Sequence, residues 1–60
     1  MNDMEMVLVL LNRLNVRFIN IDYHYIEVQN LNNLENDERY YFEFDEESYN
    51  LMDFGIYISS

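Results

Sequence analysis

Few side chains in this sequence can serve as a nucleophile and its base. There is one His, at position 24, and no Cys, so a nucleophilic pair would have to join His24 to Ser48, Ser59 or Ser60. Such a pair needs side chains within hydrogen-bond reach and a third group that orients the base. Ser48 stands in an acidic run and the other two close the sequence as given, so His24 reads as a strand residue near a sheet surface. Carboxylates are plentiful, and two at the right separation are what glycoside hydrolysis uses. A chain of 60 residues, however, does not enclose the several hundred Å³ that a sugar site occupies. The segment "DEESYN", Asp45 to Asn50, offers the oxygen donors of a calcium loop without its D-x-[DN]-x-[DN]-G spacing or its turn glycine. One His and no Cys argue against structural zinc, and the single glycine, Gly55, makes no phosphate loop. The expectation is a non-enzyme with no catalytic residues, no metal and no cofactor.

Charge is the stronger signal. Twelve Asp and Glu face three Arg and no Lys, giving a formal charge of −9. A field of that sign repels nucleic acid and anionic membrane and favours basic partners, and direct nucleic-acid binding needs the opposite footprint. The stretch "NDERYYFEFDEESYN" sets five aromatic rings among six carboxylates with one Arg. If Glu43 and Asp45 share one strand face, their Cβ atoms lie about 6.8 Å apart, close to two ~3.4 Å steps along one DNA strand. Glu27 and Asp53 on neighbouring strands extend that face, Tyr25, Tyr41 and Tyr57 fall among the acids, and only Arg17 offsets them. Two readings stay open. The face is a solvated surface whose acidity serves solubility, or it is a surface of Tyr and carboxylate that suits a groove rich in Lys and Arg.

The elements that must position these residues are legible from periodicity, since the chain has no Pro. Asn2 and Glu5 have capping-box spacing at a helix start. From Met4 to Leu14 the apolar residues cover an arc of roughly 200°, wider than the ~100° stripe of an ordinary surface helix. Met4, Val7, Leu8, Leu11 and Leu14 are expected to cover a sheet, leaving Met6, Val9 and Leu10 over. Period two follows. Strands are expected at Val16–Ile21 and Tyr23–Gln29, with a turn near Asn20–Tyr23 and a bulge that reconciles Ile19 and Ile21 with Val16 and Phe18. Asn30–Glu38 reads as a polar loop or short helical turn. In the third strand Tyr40, Phe42 and Phe44 oppose Tyr41, Glu43 and Asp45. In the fourth, Met52, Phe54, Ile56 and Ile58 oppose Asp53, Gly55 and Tyr57, and a hairpin loop joins the two. The fold class is therefore α+β, a single domain over residues 1–60 with one N-terminal helix packed on a four-stranded, largely antiparallel meander. The apolar run Met6–Leu11 is too short for a membrane span or signal peptide, and a cytoplasmic setting is the expectation.

In size, charge, absence of Cys and Lys, and Asn/Ile/Tyr/Glu-rich usage, the chain resembles the small acidic inhibitors made by bacteriophages and mobile elements. These include anti-CRISPR proteins, anti-restriction proteins and uracil-DNA glycosylase inhibitors. "EES", Glu46–Ser48, resembles the Glu–Ser segment that glycosylase inhibitors place in a DNA-binding cleft, but Tyr49 follows where those proteins carry an aliphatic residue, so that role is not transferred. The resemblance implies inhibition by occupancy of a basic groove in a host enzyme, in the host bacterial cytoplasm. Glu27, Glu43, Asp45, Glu46, Glu47 and Asp53 would meet groove cations while Tyr41 and Tyr49 pack. The alternative is a non-enzymatic interaction protein in which Met6, Val9 and Leu10 join two copies as a homodimer. Against that stands the option that the C-terminal strand or the Asn30–Glu38 loop covers the helix's second side.

Overall fold

The computed structural model describes residues 1–32 and 37–59. It consists of α1 (Asp3–Asn12) followed by β1 (Val16–Asp22), β2 (Tyr25–Asn30), β3 (Asp37–Phe44) and β4 (Leu51–Ser59). The strands form one antiparallel sheet in the order β1-β2-β3-β4, so the expected meander is the observed one.

The helix begins where the capping signal places it. Asn2 has extended backbone and its Oδ1 accepts the Glu5 N–H at 2.8 Å, satisfying one of the donors that a helix start leaves free. It ends earlier than the apolar run. The Arg13 and Leu14 amides donate to Leu10 and Leu11, three residues back, which tightens the last turn. Leu14 is therefore not one of the sheet-covering residues: it is 60% exposed, outside the helical period that would have aimed it inward. Met4 and Leu11 are buried, and Val7 and Leu8 pack beside them.

On the sheet, the core residues are Ile26 and Val28 of β2 and Phe44 of β3, with Val16, Phe18, Tyr40, Phe42 and Tyr49 packed around them. Directly opposite residues share a face, and two rows cross the helix side: Phe18–Val28–Tyr40–Ile56 and Ile21–Ile26–Phe42–Phe54. The expected bulge is present, since the β1–β2 register shifts between Phe18 and Asn20 and leaves Ile19 unopposed. That extra residue carries β1 on to Asp22, so the hairpin turn is Tyr23–His24, not Asn20–Tyr23, and β2 starts at Tyr25. β2 also runs through Asn30 and β3 begins at Asp37, which shortens the Asn30–Glu38 loop at both ends. Its centre, residues 33–36 with Glu35 among them, lies outside the described residues, as does Ser60.

A helix is about 10–12 Å across and strands are ~4.8 Å apart, so α1 spans little more than two strands. The consequence shows at both margins. Ile26, Val28 and Phe44, in the middle, are essentially inaccessible, whereas on β4 Met52 (67%), Phe54 (66%), Ile56 (49%) and Ile58 (61%) are exposed. The C-terminal strand thus does not cover the second side of the helix, and Met6, Val9 and Leu10 are exposed as well. No helix among the described residues is long and apolar enough to cross a membrane.

Candidate functional site: the open sheet face and its acidic end

The face away from the helix carries three rows: Arg17–Gln29–Arg39–Tyr57, Asn20–Glu27–Tyr41–Gly55, and Asp22–Tyr25–Glu43–Asp53. Glu27, Tyr41, Glu43 and Asp53, four of the expected site residues, therefore do share one surface. Charge along it is polarised. One end holds Arg17 and Arg39, with Arg39 Nη2 3.3 Å from Asp37 Oδ2. Arg39 is a second cation on this face besides Arg17, one that the strand pattern did not place there. The other end holds Asp22, Glu43 and Asp53.

Topology concentrates the acids. In an antiparallel meander the first and third connections emerge at the same end, so the β1–β2 turn and the β3–β4 loop are neighbours here. The Phe44 amide donates to the His24 carbonyl at 2.8 Å, and His24 Nε2 lies 3.7 Å from Glu46 Oε1. Tyr23 on the first turn feels the second: Glu46 above all, then desolvation and Asp22, push its phenol above the ordinary value. His24 is thus a hairpin-turn residue between two strands, half-buried at the sheet's end, with no serine hydroxyl bonded to it among the described residues.

Glu43 and Asp53 sit directly opposite one another on β3 and β4, both exposed. Like charges in that relation destabilise a sheet. Asp53 Oδ2 accepts the Tyr41 hydroxyl at 3.5 Å. No Arg lies in an ion pair with either acid among the described residues, where Arg39–Asp37 is the one Arg-carboxylate bridge.

Three tyrosines lie among these acids. Tyr41 and Tyr57 have ring centroids 5.1 Å apart at 31°. The Tyr25 hydroxyl donates to Glu27 Oε2 at 3.4 Å. Desolvation first, then the neighbouring Tyr57 and the Glu27 charge, raise the Tyr25 phenol well above its ordinary range. For Tyr41 the Asp53 charge is the leading cause of a rise, with desolvation next.

Asp45 does not continue the array. The β3–β4 register shifts between Glu43 and Phe44, leaving Met52 unopposed and ending β3 at Phe44. Met52 accordingly drops out of the regular alternation with Phe54, Ile56 and Ile58. Asp45 turns into the loop, where its Oδ1 accepts the amides of Glu47 (2.8 Å) and Ser48 (3.0 Å). These bonds, Ser48 foremost, hold its carboxyl below the ordinary value. It is a loop-former of the Asx type. Glu46 and Glu47 project from the same loop and are exposed.

Tyr49 also serves the loop's structure. Its backbone is left-handed at φ 61°, a conformation that costs a non-glycine residue energy, and its ring packs against the core cluster. Asp22, Tyr25 and Tyr57 were the members that motif reasoning under-weighted. Strand alternation places Tyr25 and Tyr57 correctly, and only the bulge puts Asp22 at the end of the acidic row.

No family model, no curated protein and no solved structure matches this chain. Its class is accordingly stated by architecture: an α+β domain with one N-terminal helix on a four-stranded antiparallel sheet.

Proposed function

We propose that the chain is a non-enzymatic, acidic binding protein whose open sheet face and β3–β4 loop occupy the basic nucleic-acid-binding groove of another protein and exclude DNA or RNA from it. The observation that carries this reading is the opposition of Glu43 and Asp53, with Asp22 in the same row and Glu46 and Glu47 on the adjoining loop. Solubility needs acids somewhere; it does not need them stacked across a strand pair, where they repel. A groove lined by Lys and Arg relieves that repulsion, and Tyr25, Tyr41 and Tyr57 supply contact area with few rotamers to freeze. The type is that of the small inhibitors carried by bacteriophages, acting in a host bacterial cytoplasm.

The test is capture of nucleic-acid enzymes from bacterial lysate, with elution by salt and by competing DNA. It is repeated with the variant Glu43→Lys/Glu47→Lys/Asp53→Lys. Long-range attraction predicts release by salt, release by DNA, and loss of capture in a variant whose circular dichroism is unchanged. A partner held equally by the variant at high salt overturns the reading.

A second reading, assembly through the helix, draws on the exposure of Met6, Val9 and Leu10. It predicts association that persists in salt and disappears when these three become polar.

A further inference from the structure

The exposed apolar side of β4 has features that point to its occupant. β4 is a sheet edge, bonded to β3 and to no other described strand. Edge strands are normally blunted by Lys, Pro, bulges or brevity. β4 runs nine residues, Leu51–Ser59, and contains neither Lys nor Pro; its bulge, at Met52, is confined to its start, and its one charge, Asp53, points to the open face. On the helix side the exposed residues are Leu51, Phe54, Ile56 and Ile58, with Leu14 bordering the groove formed with Tyr40 and Phe42. At roughly 200 Å² for a large side chain, these expose on the order of 500 Å². A stable complex of standard size buries ~800 Å² per partner. Among the described residues of one chain, the buried core is five side chains, thin for a domain with no disulfide to assist it.

We infer that a second copy of this chain pairs with the first, antiparallel, along β4. The strand is complementary to itself. Two-fold antiparallel pairing of one edge keeps each side chain on its own face, so from Asp53 to Tyr57, beyond the Met52 bulge, the apolar row meets the apolar row. With the axis at Gly55, the midpoint of Leu51–Ser59, Phe54 of each copy lies opposite Ile56 of the other. Asp53 of each then lies opposite Tyr57 of the other, repeating between copies the Tyr–Asp53 contact that Tyr41 makes within one. Asp53 does not oppose itself. The product is a continuous eight-stranded sheet with both helices on one side and both open faces on the other. Each copy carries −9, so the dimer tightens as salt screens the repulsion, opposite to the salt response of binding to a basic groove.

The test is sedimentation equilibrium of the full chain over a range of concentration and salt, with hydrogen exchange of the β4 amides at high and low concentration. The expected result is a monomer–dimer equilibrium that shifts to dimer with salt, with β4 amides protected on concentration. Phe54→Lys/Ile56→Lys weakens it by about tenfold or more, the loss of a packed anchor, while Met6→Gln/Val9→Gln leaves it intact. If the lysine variant fails to fold, the wild-type exchange data decide. A monomer at every concentration overturns the inference and leaves the row to an unlike partner. So does a dimer broken by the helix variant, or β4 exchange that ignores dilution.

Discussion

The ring of Tyr41 lies across Gly55: a Cβ built on that glycine would stand 2.7 Å from both Cε1 and the hydroxyl oxygen of Tyr41. The two residues are directly opposed on β3 and β4. The absence of a side chain at position 55 lets the phenol lie flat, reach Asp53 and approach Tyr57.

Gly55→Ala is therefore expected to destabilise the chain by about 1–3 kcal/mol, the usual range for overpacking. With Tyr41→Ala already in place, the same change gains the ~0.5–1 kcal/mol that Ala ordinarily has over Gly within a strand. Urea unfolding of the four chains checks the change of sign. Equal destabilisation in both backgrounds would show that the ring is not what excludes the methyl group.

A second contact joins the sequence's two extremes. Asp3 Oδ2 accepts the Leu51 N–H at 2.7 Å, tying the first turn of α1 to the start of β4. Asp3→Ala should cost about 1 kcal/mol and speed exchange of the Leu51 amide, while Asp3→Asn, which keeps an acceptor, costs less. Unchanged Leu51 exchange in Asp3→Ala would dissolve the tie.

Alkaline pH probes the tyrosine cluster. The folded-state phenols of Tyr25 and Tyr41 are raised from 10.0, by burial foremost for Tyr25 and by Asp53 foremost for Tyr41. A group whose folded pKa lies above its unfolded value holds its proton more tightly in the fold. Its contribution is complete below pH 10 and is lost as pH climbs beyond. Ultraviolet titration should show tyrosinate forming late, and Tyr25→Phe should remove part of that late fraction and flatten the fall of stability above pH 10. A single unshifted titration in the folded protein would contradict the cluster.

Much of this architecture was legible because its signals are local. Asn2 and Glu5 announced the helix start, and the break in alternation at Ile19 announced the bulge. The residues that were misplaced depend on events between strands. Asp45 follows Tyr41 and Glu43 at strand spacing, yet a register shift against β4 turns it into the loop. Leu14 continues an apolar count whose helix has already closed. Alternation put Phe54, Ile56 and Ile58 on the helix side correctly. It carries no information on how far a single helix reaches, which is a matter of its diameter against the sheet's width. Arg39 joins the open face because β3 starts at Asp37 and not at Tyr40, which extends the alternation of Tyr41 and Glu43 back to it.

The unopposed Ile19 determines how large an assembly built on this sheet can become. A sheet with two receptive edges polymerises, each added copy presenting a fresh template. Here the outer margin of β1 is bulged in mid-strand and carries Arg17 and Asp22, so it templates poorly, while the bulge of β4, at Met52, lies at its start and leaves Asp53–Ser59 in regular register. The molecule is left with a sticking valence of one. In the pairing inferred above, that valence is consumed at the first encounter, and growth stops at a closed pair instead of a fibre.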